Sequence, residues 1–182
     1  MEVKSNKLNN RKLKVIIKDF PKPKNLCLDH NGKDICPEIS WSSIKDAKSY
    51  ALVLDDIDLP NNGIFIHWYI PYISPSINKI MELNCSDVKN IYNNMDYNLI
   101  DYSKIKMLFG KNTLGEYGYH GPCNPFDVYH RYRFHVFALT DIFKMNSETN
   151  SIVSCADFKE KIKKCGINIL AQGSSKIFKY KK

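Results

Sequence analysis

The sequence lacks any hydrophobic run long enough to cross a membrane. Its longest apolar stretch, residues 63–73, contains His67 and Pro71 and is far shorter than the ~20 residues that a spanning helix needs. The first residues carry charge but no apolar core of a secretory signal, and Glu2 stands where N-myristoylation requires glycine. We therefore predict a cytoplasmic protein, with peripheral contact at the inner membrane surface as its closest approach to lipid.

Several catalytic and metal-binding patterns are also missing. No G-x-S-x-G elbow, no G-K-S/T phosphate loop and no H-E-x-x-H pair occurs, so the sequence does not support a serine hydrolase, a P-loop enzyme or a zinc protease. No metal ion and no cofactor is predicted. The cysteines form no C-x-x-C pair and are predicted to be reduced thiols; they are Cys27, Cys36, Cys85, Cys123, Cys155 and Cys165.

The positive charge lies at the two ends of the chain. The 182 residues carry a net charge of +8, divided into +6 over residues 1–24, −5 over 25–158 and +7 over 159–182. A nucleic-acid-binding domain more often spreads its cations through the fold, so no nucleic-acid partner is predicted. Solvated lysine-rich ends are the simplest interpretation, and weak attraction to anionic membranes is the alternative. We predict a loose basic leader (1–12) and one domain (13–182).

Alternating apolar residues and turn residues predict a mainly β, β-rich α+β domain. The predicted strands cover residues 13–17, 39–41, 50–54, 64–70, 130–139 and 175–180. One helix is predicted over 154–165, with Ser154 as its N-cap, Asp157 in capping-box position and Gly166 at its end.

Two short polar patches follow or lie within predicted strands. Asp55, Asp56 and Asp58 come at a strand end, either as an Asx-rich turn or as carboxylates that hold a histidine, an amine or a metal. His67 precedes Trp68 inside the next strand, either as a satisfied core histidine or as a partner that faces Asp56 or Asp58 across neighbouring strands.

The third patch is a glycine-rich loop over residues 110–125, which ends just before His130, Arg131 and Tyr132. Backbone N–H groups of such a loop can cradle an anion, and histidine and tyrosine add donors. An irregular loop that needs glycine for its turns is the alternative. A catalytic Cys123 near His120 and His130 is a further alternative, but one cysteine in a proline-containing loop does not define such a site.

In this order, the D-x-D-x-P turn, the H-W strand, the loop ending in G-P-x-x-P and the H-R-Y strand resemble the phosphatidylethanolamine-binding protein family. That family includes the Raf kinase inhibitor proteins, and the resemblance to its bacterial-type branch covers about residues 13–181. The resemblance implies an antiparallel Greek-key β-fold with a small pocket for phosphate, acetate or a phospholipid headgroup. It also implies a non-catalytic protein that regulates a protein kinase or binds a phosphoprotein.

Carried onto matching positions, the resemblance implies a pocket built by Asp56, His67, Gly121, Pro122, Pro125, His130 and Tyr132, with Asp58, Trp68 and Tyr119 as secondary candidates. The expected roles are close backbone approach at Gly121, hydrogen-bond donation by both histidines, and orientation of a histidine by Asp56.

Two positions depart from the family pattern. Ile57 and Asn124 stand where the family has proline. A hydrolase that uses Asp56, Asp58, His67 and His130, with or without a metal, is the alternative function for the same residues. Binding through the basic ends alone is a third.

Overall fold

Two long antiparallel strands form the centre of the fold. The computed structural model describes residues 11–84, 95–124 and 127–181. Strand β5 (Ser49–Leu59) turns through the short 3-10 segment Pro60–Asn62 into β6 (Gly63–Ile73). Asn61 and Asn62 adopt φ values of 61° and 59°, the left-handed region that asparagine tolerates better than most residues.

The other elements are shorter, apart from one long strand late in the chain. The remaining strands are β1 (Arg11–Lys12), β2 (Val15–Ile17), β3 (Ile35–Cys36), β4 (Ile39–Trp41), β7 (Lys79–Ile80), β8 (Leu83–Asn84), β9 (Met107–Leu108), β10 (His130–Leu139), β11 (Ile169–Ser174) and β12 (Phe178–Tyr180). Helix α1 spans Cys155–Lys164, and three other 3-10 segments cover Pro23–Asn25, Leu28–His30 and Tyr97–Leu99.

The large sheet has the strand order β1-β11-β10-β5-β6-β9, and β12 also pairs with β10. Its strands β5, β6, β9 and β10 follow one another along the chain, yet β10 returns to lie beside β5. This is a Greek-key order, and the β-rich α+β fold predicted above is confirmed. Among the strands of the described residues, only β1 and β11 pair in parallel. Two small sheets, β2-β4-β7 and β3-β8, accompany it.

Apolar side chains cover both faces of the large sheet because successive residues of a strand point to opposite sides. One face carries the larger cluster, whose members on the central strands include Leu52, Leu54, Phe134 and Val136. The other face carries the smaller cluster, which joins the strands to helix α1 and includes Val53, Phe137, Phe158 and Ile162.

The predicted helix is present and is capped as expected. The Ser154 side chain accepts a hydrogen bond from the Asp157 amide at 3.0 Å, and Gly166 follows the helix with a φ of 74°. Within the described ranges, no helix is both long and apolar enough to span a membrane.

Some strand boundaries differ from the prediction. Strand β5 continues to Leu59 instead of ending at the aspartates, since Asp55 and Asp56 pair in register with β10 and β6. The predicted last strand is replaced by β11 and β12. The division at residue 12 stays a prediction, but Arg11 and Lys12, assigned to the leader, pair with β11 because its outer edge offers free backbone groups.

A disulfide joins Cys27 to Cys123, so the prediction of six reduced thiols is wrong. These cysteines are 96 positions apart, and the fold brings their Cα atoms to 5.4 Å. Spacing along the chain does not reveal such a pair, because only the tertiary fold sets the distance. Cys155 and Cys165 are free thiols, Cys36 is buried, and Cys85 lies outside the described residues.

The disulfide predicts a thiol count. Titrated in denaturant without reductant, the wild-type chain and the double variant Cys27→Ser/Cys123→Ser should show the same number of reactive thiols. In the wild type, Cys27 and Cys123 are bonded to each other and do not react. In the variant, both are serine. Reduction should release two more thiols from the wild type than from the variant. Two extra thiols in the wild type before reduction would contradict the bond.

Candidate functional site

A cavity of about 570 Å³ opens at the end of the large sheet where β5 turns into β6 and β10 begins. Its size falls in the range of small-molecule sites. It is lined by Asp29, Asp56, Asp58, Leu59, Pro60, Phe65, His67, Leu114, His120, Cys123, Asn124, Val128, His130 and Tyr132. The structure thus brings together four of the seven predicted pocket residues, and Asp58 with them.

The cavity wall contains a buried histidine–carboxylate pair. The Nδ1 atom of His130 lies 2.6 Å from Oδ2 of Asp56, and the two residues are 7% and 3% exposed. Burial raises the pKa of Asp56, and the hydrogen bond from His130 acts in the opposite direction. Because a carboxylate oxygen can only accept, Nδ1 of His130 carries the proton. Asp56 therefore fixes the orientation of His130. The predicted contact of His67 with Asp56 is not formed, because His67 bonds to the backbone of His120 instead.

His67 reaches the cavity through a bulge in β6. Leu54 pairs with Trp68 and Asp55 pairs with Ile66, so His67 is the extra residue between them. Its ring contacts Tyr132, with centroids 5.2 Å apart, while the neighbouring Trp68 packs in the larger core cluster. Because of the bulge, the side chain of His67 faces the cavity while that of the next residue, Trp68, packs in the core.

The protonation of His67 follows from its surroundings. Its Nδ1 lies 2.8 Å from the backbone oxygen of His120, which can only accept, so Nδ1 carries the proton. Burial lowers the pKa of His67 to about 3. The ring is therefore neutral near pH 7, and its Nε2 is an acceptor. This differs from the predicted role of His67 as a donor to an anion.

A charged pair stands at the cavity edge. The guanidinium of Arg131 binds the Asp58 carboxylate with two nitrogens, at 2.6 to 3.0 Å. Hydrogen bonds from Arg131 lower the pKa of Asp58. The backbone N–H of Asp58 in turn donates to Oδ1 of Asp56 at 3.0 Å. The two aspartates of the D-x-D pattern thus hold successive residues of β10, His130 and Arg131.

Asn124 replaces the family's proline with hydrogen bonds. Its Oδ1 accepts from the Tyr132 hydroxyl at 2.6 Å, and its Nδ2 donates to the carbonyls of Val128 and Tyr180 at 3.0 and 2.8 Å. The side chain is buried and ties the loop to β10 and β12. The next residue, the predicted site residue Pro125, lies outside the described residues.

Gly121 and Pro122 do not line the cavity. A Cβ atom on Gly121 would lie 2.2 Å from the backbone oxygen of Asn25, so close packing against that segment requires glycine. The amide of Gly121 donates to Asp34 at 2.7 Å, and the carbonyl of Pro122 accepts from Cys27 at 3.2 Å. The predicted backbone cradle is therefore occupied by contacts within the protein.

The two aromatic secondary candidates, Trp68 and Tyr119, also lie in the core. The Tyr119 hydroxyl donates to the carbonyl of Asn25 at 2.8 Å.

An apolar rim is the main feature that sequence reasoning missed. Leu59, Pro60 and Phe65 come from the β5–β6 turn, while Leu114 and Val128 come from the long loop and are 55% and 49% exposed. The spacing of these residues in the sequence does not indicate that they line a cavity. His120 precedes Gly121 in the sequence and also lines the cavity. Its ring stacks on that of His67, with 6.0 Å between the ring centroids.

Two groups of metal-ligand side chains occur in the described part of the chain, neither of them at the Asp56–His130 pair. Cys27, His30 and Cys123 form one, but its sulfurs are joined in the disulfide. The other, Asp55, His135 and Cys155, lies on the opposite face of the large sheet.

The sequence profile of the phosphatidylethanolamine-binding protein family matches residues 10–174, nearly the whole chain. The chain belongs to the phosphatidylethanolamine-binding protein family. The predicted membership of its bacterial-type branch is thereby confirmed, since bacterial relatives match as well. A Chlamydia trachomatis homologue, described as a putative phosphatidylethanolamine-binding protein homologue, has a TM-score of 0.68 and 26% identity over 94% of this chain and 99% of its own.

Other relatives agree. E. coli YbcL, described as a new member of the mammalian family, has a TM-score of 0.70 with 20% identity over 94% of this chain and 99% of its own, and supports the fold only. UPF0098 proteins of Chlamydia muridarum and Aquifex aeolicus are 36% and 37% identical over 113 residues, or 59% and 60% of this chain. The chain spans about three fifths of these curated relatives' length, 62% and 57%.

Asn124 gives a stability prediction. Asn124→Ala should lower the free energy of unfolding by about 2–4 kcal/mol, because it leaves the Tyr132 hydroxyl and two carbonyls unpaired. In a Tyr132→Phe background the cost should be smaller, since one of those groups is already gone. Chemical denaturation measures both, with Asn98→Ala on the exposed surface as the control. Equal costs for Asn124→Ala and Asn98→Ala would contradict this role.

Proposed function

We propose that the chain binds phosphate-bearing small molecules and phospholipid headgroups of the phosphatidylethanolamine type in the Asp56–His130 cavity. The single observation that carries the proposal is the arrangement of His67 and His130. Both rings are held through Nδ1, and both line the cavity. Two ring nitrogens are thus left for a ligand.

His130 supplies the contact to the anion. Its Nδ1 is bonded to Asp56, so a proton on Nε2 is available for donation to a phosphate or acetate oxygen. The buried surroundings strengthen this charge-assisted bond relative to the same bond in water. Phosphate, acetate and a phospholipid headgroup all offer the required acceptor.

His67 requires a hydrogen-bond donor on the ligand. Its neutral ring presents an acceptor at Nε2, so it is satisfied by the P–OH of a monoprotonated phosphate or by an ammonium group. The Asp29 carboxylate also lines the cavity and suits an ammonium. A ligand with both an acceptor and a donor, such as phosphorylethanolamine, therefore fits better than a fully ionised phosphate.

The rim supports the phospholipid part of the proposal. Leu59, Pro60 and Phe65 surround one side of the opening, and the half-exposed Leu114 and Val128 come from the loops. These apolar side chains would contact the glycerol and first acyl carbons beyond a headgroup held at His130. We place the lipid's headgroup in the cavity and its chains outside.

Binding fits the residues better than hydrolysis. The carboxylates of Asp56 and Asp58 are already bonded to His130 and Arg131, so neither is a free general base in this state. A hydrolase that uses these side chains, with or without a metal, is the alternative. Turnover of a phosphoester that is lost in His67→Ala would favour it.

Regulation of a protein kinase belongs to the same proposal. A phosphorylated side chain of the kinase or of its substrate would place its phosphate at His130 and leave the rest of the partner on the rim. For the cytoplasmic location, the disulfide Cys27–Cys123 is an opposing observation, because reducing compartments rarely keep structural disulfides.

Calorimetric titration tests the proposed ligand class. Phosphorylethanolamine should bind more tightly than inorganic phosphate or ethanolamine alone, since each of these offers one of the two groups. His130→Ala should weaken binding roughly tenfold to a hundredfold, the cost of a hydrogen bond to a charged group. Binding should strengthen from pH 8 to pH 6, because the phosphate gains a proton with a pKa of about 6 while His67 stays neutral.

The control is His30→Ala, a histidine outside the cavity lining, which should leave the affinity unchanged. Equal affinity of the wild type and His130→Ala, with both variants folded, would reject the site. Binding that strengthens from pH 6 to pH 8 would reject the acceptor role of His67.

A further inference from the structure

A second cleft, of about 540 Å³, lies on the opposite face of the large sheet from the Asp56–His130 cavity. Helix α1 covers only part of that face, and the cleft occupies the strip beside it. We call it the basic cleft; its lining consists of Arg11, Lys12, Arg133, His135, Phe137, Lys159, Gln172, Gly173, Ser174 and Ser175.

The register of the strands gathers the cations from distant parts of the sequence. Arg133 and His135 are two residues apart on β10 and therefore lie on the same face. His135 pairs with Ser174 on β11. Lys12 on β1 pairs with Gln172 on β11, so the edge strand adds its charge to the same strip. Lys159 comes from helix α1, where its ammonium lies 5.7 Å from the Phe137 ring centroid. Two strands and a helix thus place cations around one concavity, and β11 lies between the two strands.

These cations are not paired with carboxylates at salt-bridge distance in the described part of the chain. Arg11, Lys12, Arg133 and Lys159 form none of the salt bridges there, whereas many surface lysines elsewhere do. No aspartate or glutamate lines the cleft. The Nε atom of Arg133 is buried and has no acceptor, which is costly for a guanidinium.

The nearest carboxylate lies beneath the cleft and is already bonded. Asp55 is buried, accepts a hydrogen bond from Nε2 of His135 at 3.2 Å and another from the Cys155 thiol at 3.5 Å. Nδ1 of His135 lies 2.9 Å from the Ser174 hydroxyl, so the imidazole is held between the buried carboxylate and the cleft surface. Asp55 thus orients the floor of the cleft. It stands opposite Arg133 in the pairing of β5 with β10, but its salt bridge among the described residues is to His135.

We infer that the basic cleft is a second ligand site, which binds a small phosphate ester carrying two or more phosphate groups. Four cationic side chains exceed what one phosphate dianion would neutralise, whereas a diphosphate matches them in charge. Arg133 and Lys159 would hold one end of the ligand, Arg11 and Lys12 the other, and Ser174 would bond an oxygen between them.

The shape of the cleft favours a small ligand over a membrane or a nucleic acid. Its cations converge on a bounded concavity whose floor is His135 and Ser174, and its volume suits a molecule of up to about nucleotide size. A flat anionic surface would contact the rim lysines without reaching Arg133. The site is independent of the Asp56–His130 cavity, so either proposal can fail alone.

A ¹H–¹⁵N NMR titration with inorganic pyrophosphate tests the inference on the full chain. Saturable shifts should appear at the amides of Gly173 and Ser174 and at the Arg133 Nε–H. The double variant Arg133→Gln/Lys159→Gln should bind at least tenfold more weakly. The matched control Lys144→Gln/Lys163→Gln removes the same charge from exposed positions without salt bridges and should leave affinity unchanged. His130→Ala should also leave these shifts intact.

Several outcomes would overturn the inference. Equal weakening by both double variants would mean that only net charge attracts the anion. Shifts confined to His130 and Tyr132 would place pyrophosphate in the other cavity. If the cleft double variant loses its dispersed spectrum, the single variant Lys159→Gln, on the exposed helix surface, should still weaken binding. Binding to vesicles of anionic lipid but not to pyrophosphate would assign the cleft to a membrane surface instead.

Discussion

The arrangement of the cavity depends on the buried carboxylate of Asp56. An ionised carboxylate removed from water needs hydrogen-bond partners, and Asp56 receives them from the imidazole of His130 and the amide of Asp58. These contacts join the end of β5 to the start of β10 and fix which nitrogen of His130 faces a ligand. The neighbouring Asp58 holds Arg131 in the same way, so the D-x-D pattern anchors two successive residues of the H-R-Y strand.

The two faces of the large sheet carry different electrostatic environments. On one side, Asp56 is bonded to His130 and Asp58 to Arg131. The cavity there offers one donor and one acceptor to a ligand. On the other side, Asp55 is buried under His135, and the nearby cations Arg133 and Lys159 form no salt bridge among the described residues. Adjacent residues of one strand, Asp55 and Asp56, thus contribute to concave surfaces on opposite faces of the sheet.

Local patterns were sufficient to predict the capped helix and the strand over 130–139, and the family resemblance was needed to predict Asp56, His67, His130 and Tyr132 as parts of one cavity. They failed where long-range contacts decide. The disulfide of Cys27 with Cys123, the pairing of Asp56 with His130 instead of His67, and the packing role of Gly121 all depend on segments far apart in sequence. The bulge at His67 is likewise invisible in the alternation of β6, because it depends on the register of the partner strand.

The central claim is that both cavity histidines are held through Nδ1 and leave Nε2 to the ligand. Long-range ¹H–¹⁵N NMR of the histidine rings tests it most directly, because it assigns the proton on each nitrogen. The account predicts a protonated Nδ1 on both His67 and His130, and an unprotonated Nε2 on His67 that does not titrate between pH 5 and 8, in keeping with a pKa of about 3. An unprotonated Nδ1 on either ring, or a midpoint for His67 inside that interval, would contradict it.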